Sequence, residues 1–157
     1  VIFRKEPRGR TPKENKFPTG QASSLRGREG KNYYLLLHYP SSAKAKKDYW
    51  DFAKGHIEKG EKELEAVKRE ITEETGLKNF EIINGFKEWI KYFFKFEGKN
   101  ILKFVVFYLV QTKTKNIKVS FEHIGYKWLP FEEALEQLTF KNAKETLKKA
   151  NKFLQNT

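Results

Sequence analysis

An acidic segment inside a strongly basic chain limits what this protein can fold into. Residues 61–74 carry six Glu against three Lys or Arg, although the 157-residue chain has a net charge of +12. The segment has helical periodicity, and Gly76 follows it where a left-handed helix cap is preferred. We therefore predict a helix over residues 62–75. Its apolar stripe, predicted to face a core, consists of Leu64, Val67 and Ile71.

The glutamates beside this stripe are close enough to repel one another. Like charges four residues apart, such as Glu70 and Glu74, destabilise a helix unless something offsets them. Clustered carboxylates are typically neutralised by a hard divalent cation, which prefers oxygen ligands. Composition alone also allows a solvated acidic face on which Arg69 bridges to Glu73, so both interpretations stay open at this point.

The spacing around the helix favours one interpretation. A Gly is followed after five residues by Glu and after seven more by Arg-Glu and an aliphatic residue; Glu-Glu, Gly and a second aliphatic residue complete the pattern. These nine fixed positions over 23 residues resemble the signature of the Nudix hydrolase family. They are Gly55, Glu61, Arg69, Glu70, Ile71, Glu73, Glu74, Gly76 and Leu77.

The resemblance implies a fold, an activity and a set of roles. The implied fold is an α/β/α sandwich on a mixed central sheet, with a catalytic loop and helix at residues 55–76. The implied activity is hydrolysis of a nucleoside diphosphate linked to another group, with Mg²⁺ as the cofactor and Mn²⁺ as a substitute. Arg69 would orient the carboxylates. The implied metal ligands are Glu70, Glu73, Glu74 and the carbonyl of Gly55.

Several segments outside the signature narrow the resemblance. They are Trp50, residues 54–56, 85–87, 121–123 and 126–129, and Phe140 with Lys141. Tyr92 also lies 16 residues beyond Gly76. Together these features resemble the asymmetric diadenosine tetraphosphate hydrolases, a branch of the family in which a Tyr stands at about that distance. Ala53 departs from the pattern, because the branch usually has Pro before Lys-Gly-His.

The narrower resemblance suggests roles for five further side chains. Tyr92 would stack on an adenine, or else pack among the neighbouring strand aromatics. Phe140 is a second candidate stacking platform, with core packing as the alternative. Glu122 would bind metal or act as the general base, unless it is a surface carboxylate; Glu73 is the other candidate base. Lys54 and His56 would contact phosphate, although a structural hydrogen bond is an equal alternative for His56.

The rest of the chain predicts a single domain over residues 1–157 with one unusual insertion. Three Pro and four Gly interrupt residues 7–32, a basic loop that is either a surface excursion or an arm that contacts phosphate. No apolar run is long enough to cross a membrane, and with no Cys we expect a cytoplasmic protein. Strands are predicted at residues 1–5, 32–39, 49–53, 80–83, 87–96, 101–112 and 124–129, and further helices at 131–137 and 141–153.

These features predict hydrolysis of diadenosine tetraphosphate to ATP and AMP, with a nucleotide as the partner. The basic charge favours a second substrate, the 5′ end of RNA, which the insertion would contact. A third hypothesis is a binding protein with the same fold and no turnover. The carboxylate set argues against it, because a binder has no need to hold Glu70, Glu73 and Glu74 together. Oligomeric state has no signal in the sequence.

Overall fold

The structure is a computed structural model that describes residues 1–7, 30–42 and 45–157, apart from the side chain of Phe94. Most of the predicted insertion, residues 8–29, lies outside this described part of the chain. The strands are β1 (Ile2–Glu6), β2 (Lys31–Tyr39), β3 (Tyr49–Asp51), β4 (Glu81–Phe96), β5 (Lys99–Gln111) and β6 (Gly125–Pro130). The helices are α1 (Glu63–Thr75), α2 (Phe131–Gln137) and α3 (Lys141–Gln155).

The strands form one mixed sheet. Its order is β3-β2-β1-β5-β4, and β6 also pairs with β2. β1 and β5 run parallel, whereas the other paired strands are antiparallel. Among the residues that the structure describes, no helix is both long and apolar enough to span a membrane.

Alternation along β2 assigns the helices to the two faces of this sheet. Tyr34 and Leu36 belong to an apolar cluster that also contains residues of α2 and α3. Leu35 and Leu37 belong to a second cluster, which contains Ile71 of α1. Because successive strand residues point to opposite faces, α1 covers one face and α2 with α3 covers the other. This arrangement confirms the predicted α/β/α sandwich.

Helix α1 begins and ends close to its predicted bounds. Glu65 accepts a hydrogen bond from the Lys62 amide at 3.2 Å, and Gly76 adopts a φ of 69° while its amide donates to the Thr72 carbonyl at 2.9 Å. The predicted apolar stripe is wrong at Leu64, which is 48% exposed. The inner face of the helix is rotated away from Leu64 and toward the glutamates. It buries Ala66, Ile71, Glu74 and Thr75.

Two strand predictions also need correction. The two predicted strands at residues 80–83 and 87–96 are one continuous strand, β4, with an irregularity between Ile82 and Lys87. Gly85 lies inside this bulge with a φ of 91°, a conformation that favours glycine. In addition, β2 begins at Lys31, so the end of the predicted insertion 7–32 is part of the sheet.

The rotation of α1 predicts unequal effects of two apolar truncations. Ile71→Ala should lower the free energy of unfolding by about 2–5 kcal/mol, because Ile71 is 5% exposed and its loss leaves a cavity. Leu64→Ala should change it by no more than about 0.5 kcal/mol. Urea denaturation of both variants measures the difference. Equal destabilisation would mean that the helix packs on the stripe that its sequence suggests.

Candidate active site

Arg69 is the centre of a hydrogen-bond network between α1 and the loop that precedes it. Its Nε donates to Glu61 Oε1 at 2.8 Å, and its Nη2 donates to Glu61 Oε2 at 3.0 Å and to the His56 carbonyl at 2.9 Å. Its Nη1 donates to Glu70 Oε1 at 3.0 Å and to Glu73 Oε2 at 2.9 Å. A guanidinium has five N–H donors, so this network uses all of them.

Glu61 connects this network to the turn before the helix. Its two hydrogen bonds with Arg69 form a bidentate pair, the geometry in which Arg–carboxylate interactions are strongest. Glu61 Oε2 also accepts a hydrogen bond from the Glu58 amide at 3.0 Å. The Arg69 hydrogen bond, followed by that of the Glu58 amide, holds the pKa of Glu61 below its usual range. The loop is therefore tied to the helix by a carboxylate that stays ionised.

Gly55 lets the same loop lie directly against a carboxylate of the helix. A Cβ at Gly55 would come within 1.8 Å of Glu70 Cδ and 2.2 Å of its Oε1, so any larger residue would displace that side chain. Glu70 Oε1 also accepts a hydrogen bond from the His56 amide at 3.2 Å. The signature glycine thus has a physical reason here: it leaves room for Glu70.

Glu74 is the buried carboxylate of the site. It is 7% exposed, and its Oε2 accepts a hydrogen bond from the Lys54 amide at 2.8 Å. Its pKa is raised to about 8, mainly by burial and also by the charges of Glu70 and Glu122, against the opposing hydrogen bond from the Lys54 amide. The charge on Glu74 is therefore poorly compensated by the protein groups around it.

The predicted metal ligands are close together but differ in orientation. Among the described residues, no three His, Asp or Glu side chains form a group that could hold a metal ion. Glu73 is 58% exposed and turned to Arg69, and Glu122 is exposed in the loop before β6. The donor set nevertheless fits a hard divalent cation, because it consists of oxygen atoms, includes an undercompensated buried carboxylate at Glu74 and meets the backbone at Gly55.

Two of the predicted substrate residues, Phe140 and Lys54, belong to a cluster around a tyrosine that the sequence did not single out. The Tyr49 ring lies 5.2 Å from that of Phe140 and stacks at 4.8 Å on Tyr39. Burial raises the pKa of Tyr49, and the charges of Asp51 and Tyr92 add to the effect. Lys54 Nζ lies 6.0 Å above the Phe140 ring and also bonds to the buried Asp51. Lys54 and Phe140 therefore lie in one aromatic cluster with Tyr39 and Tyr49, whereas Tyr92 lies on β4, paired with Lys103 of β5.

Three further residues of the site region had no clear sequence signal. Asp51 is 1% exposed at the end of β3, and Tyr39 donates a hydrogen bond to the Phe52 carbonyl at 2.8 Å. His123 is buried with its ring 4.5 Å from that of Tyr39, and its Nδ1 lies 2.9 Å from Ser120 Oγ. A strand aromatic or a lone acid is common in any sequence, so only tertiary placement identifies these residues.

A cavity of about 430 Å³ opens beside Glu70. Its walls come from the Gly55–His56 backbone, from α1, and from the face of the β4–β5 hairpin that carries Trp89 and Phe104. Its volume is in the range of pockets that hold small molecules.

Comparison with known proteins identifies the family to which the chain is similar. The family model of the NUDIX domain matches residues 18–150. The mouse (Mus musculus) bis(5'-nucleosyl)-tetraphosphatase [asymmetrical] is 36% identical over 69% of this chain and 74% of its own length. An RNA pyrophosphohydrolase from a Nitratiruptor species is 32% identical over 59% of this chain and 66% of its own length. The crystal structure of a C. elegans Ap4A hydrolase binary complex is 26% identical with a TM-score of 0.70, and the match covers 100% of this chain and 95% of that one.

The raised pKa of Glu74 predicts a stability profile that depends on pH. Because the folded state binds the Glu74 proton more tightly than the unfolded state, its contribution is complete below the usual Glu pKa and is lost as pH rises through about 8. The free energy of unfolding of Glu74→Gln should equal that of the wild type at about pH 5 and exceed it by up to a few kcal/mol at about pH 9. Denaturant unfolding in EDTA at both pH values measures this difference.

Magnesium supplies the control for this experiment. If Glu74 binds the cation, millimolar Mg²⁺ should stabilise the wild type at alkaline pH and leave Glu74→Gln nearly unchanged. Parallel pH profiles for the two proteins in EDTA would contradict the placement of Glu74 as a buried, undercompensated carboxylate.

Proposed function

Because the chain belongs to the Nudix hydrolase family, we propose that it hydrolyses diadenosine tetraphosphate asymmetrically, to ATP and AMP, with Mg²⁺ as its cofactor and Mn²⁺ as a substitute. The observation that carries this proposal is the position of Glu70 and Glu74 against the residue 54–56 backbone, next to Lys54 and the rings of Tyr49 and Phe140. A site for a dinucleoside polyphosphate needs both features, since one part must neutralise phosphate and the other must recognise a base. The tetraphosphatase and Ap4A hydrolase relatives support this substrate over other phosphoanhydrides.

The cation ligands in this proposal are the carboxylates of α1 and its preceding loop. Glu70, Glu73 and Glu74, with the Gly55 carbonyl and Glu122, would hold the metal. When bound, Mg²⁺ supplies charge neutralisation for the phosphate oxygens and lowers the pKa of a water molecule. Arg69 keeps Glu70 and Glu73 in place through its hydrogen bonds to both carboxylates.

Glu122 and Glu73 are the two candidates for the general base. Glu122 is exposed and therefore accessible to water, and its negative charge contributes to the raised pKa of Glu74. Glu73 Oε2 already accepts a hydrogen bond from Arg69 at 2.9 Å, so the side chain is turned to the guanidinium. We therefore assign the base to Glu122 and a supporting role to Glu73.

The base of the substrate would bind in the aromatic cluster. Phe140 offers a ring for stacking there, Tyr92 on β4 is the second candidate ring, and Lys54 lies between the cluster and the carboxylates. Lys54 and His56 would hold phosphates that the metal does not contact. Lys54 is bonded to Asp51, so its ammonium group is held in place before substrate arrives.

The 5′ end of RNA is the second candidate substrate. Two observations favour it: the similarity to an RNA pyrophosphohydrolase and the net charge of +12. The chemistry would be the same, because both substrates contain a phosphoanhydride attached to a nucleoside.

A panel of nucleotides with product identification tests the proposal. The purified chain is incubated with Mg²⁺ and diadenosine tetraphosphate, ADP-ribose, oxidised dGTP or 5′-triphosphate RNA. We expect ATP and AMP from the dinucleotide at the highest kcat/KM of the panel. Two molecules of ADP, or faster release of pyrophosphate from RNA, would refute the proposed substrate while leaving the family assignment intact.

Stacking by Tyr92 predicts a specific kinetic change. Tyr92→Ala should raise KM for diadenosine tetraphosphate roughly 5- to 150-fold, since stacking on an aromatic ring contributes about 1–3 kcal/mol per base. The effect on kcat should be smaller, because the adenine base that Tyr92 stacks on is remote from the reacting phosphorus. Tyr92→Phe keeps the ring and should keep KM within about twofold. A large KM increase in both variants would point to the hydroxyl group instead.

The network around Arg69 predicts that a conservative change is damaging. Arg69→Lys keeps the positive charge but cannot make five hydrogen bonds, so Glu61, Glu70 and Glu73 lose their common partner. We expect kcat to fall by about 10- to 100-fold. Lys68→Arg is the matched control, because Lys68 is the exposed neighbour and the change is the reverse one. Steady-state kinetics of both variants distinguish loss of the network from a general effect on the helix.

A further inference from the structure

One face of the β4–β5 hairpin combines exposed aromatic side chains with lysines. Directly paired residues of antiparallel strands share a face, and the pairing of β4 with β5 therefore defines two faces of this hairpin. We refer to one of them as the aromatic–lysine face. It consists of Lys87, Trp89, Lys91, Phe93 and Lys95 on β4 and their partners Tyr108, Val106, Phe104, Leu102 and Asn100 on β5.

The large apolar side chains of this face are exposed. Phe93 is 72% exposed, Phe104 58%, Trp89 55% and Leu102 42%. Scattered exposed apolar residues are ordinary, but four adjacent ones on a single sheet surface indicate an interaction site. Lys91 stands at the centre of the group, with Trp89 and Phe93 two residues away on its own strand and Phe104 directly across from it.

The charge of the face selects the class of partner. Its ten residues include three lysines and no Asp or Glu. A second copy of the chain would bring these lysines against each other, and residues 8–29 are also basic, with six Lys or Arg against two Glu. The face therefore fits a partner that is negatively charged and carries flat apolar groups at regular intervals.

The aromatic–lysine face is continuous with the candidate active site. Trp89 and Phe104 line the cavity of about 430 Å³ whose other walls include Gly55, His56 and Glu70. Lys87, at the same end of the face, lies 2.7 Å from Glu63 of α1 and 4.9 Å from the Trp89 ring. A chain bound along this face would end beside the carboxylates.

We propose that the aromatic–lysine face binds single-stranded RNA, whose bases stack on Trp89, Phe93 and Phe104 and whose phosphates contact Lys91 and Lys95. Stacking on aromatic rings together with lysine contacts to the backbone is how single strands are bound without sequence preference. The direction of the strand, with its 5′ end toward Glu70, rests on the proposed function of the carboxylates; the binding itself does not.

Binding is measured without turnover to separate these two claims. The probe is a fluorescent single-stranded RNA of about ten nucleotides with a 5′ hydroxyl, in EDTA, read by anisotropy at several salt concentrations. Inorganic polyphosphate and vesicles of anionic lipid are tested beside it, because a basic surface could bind either one. Failure of catalysis on any substrate would leave this measurement unaffected.

Variants on the two faces of the same hairpin provide matched controls. Phe93→Ser should weaken RNA binding roughly 5- to 150-fold, and Lys91→Gln should reduce the slope of log K against log salt by about 0.7. Phe96→Ser and Lys99→Gln change the opposite face, where these two residues pair, and should alter binding by less than about twofold. Diadenosine tetraphosphate kinetics should be unchanged in Phe93→Ser.

Three results would overturn the proposal. The first is RNA binding that Phe93→Ser and Lys91→Gln leave intact. The second is equal weakening by both pairs of variants, which would indicate charge without a defined face. The third is a face that binds vesicles or a second copy of the chain in preference to RNA, detected by sedimentation of lipid or by a concentration-dependent mass that Phe93→Ser abolishes.

Discussion

The arrangement of this site depends on one guanidinium. Arg69 gives all five of its donors to groups that would otherwise repel or drift apart: three carboxylates and the His56 carbonyl. The hydrogen bonds to Glu70 and Glu73 reduce the repulsion between carboxylates of the same helix. Those to Glu61 and the His56 carbonyl hold the preceding loop against the side of the helix. The network stops short of Glu74, whose pKa stays high because burial and its neighbours Glu70 and Glu122 are not offset. An ionised Glu74 is therefore only partly compensated by the groups that the structure describes.

The loop can serve this arrangement only because of its close approach at Gly55. Without a Cβ there, the backbone touches Glu70, and the amides of Lys54 and His56 reach Glu74 and Glu70. Backbone groups are better fixed in space than long side chains, so they hold the carboxylates at low entropic cost. This explains why a glycine, an arginine and several glutamates must occur at set distances: each position supplies one contact of a single closed network.

Local patterns predicted most of the fold. The helix with its Gly76 cap and the hairpin turn at Gly98 follow from rules that act within a few residues. What depends on distant residues was predicted less well. Leu64 has helical periodicity with Ile71 but is exposed, because the sheet contacts the glutamate side of α1. Glu61 matched a motif position, but the motif gave no indication that Glu61 would form a bidentate pair with Arg69. Tyr49 belongs to the site only because Tyr39 and Phe140 lie beside it in the folded chain.

The bulge in β4 determines which residues reach each face of the hairpin. Between Ile82 and Lys87 the strand advances five residues while β5 advances two, from Val110 to Tyr108, so an odd number of extra residues reverses the alternation of β4. Without it, Tyr92 would lie on the same face as Ile82, under α1, and Phe93 would lie on the other. Gly85, with its φ of 91°, makes this reversal possible. One local conformation therefore keeps Tyr92 off the α1 face and directs Trp89 and Phe93 toward the cavity side of the sheet.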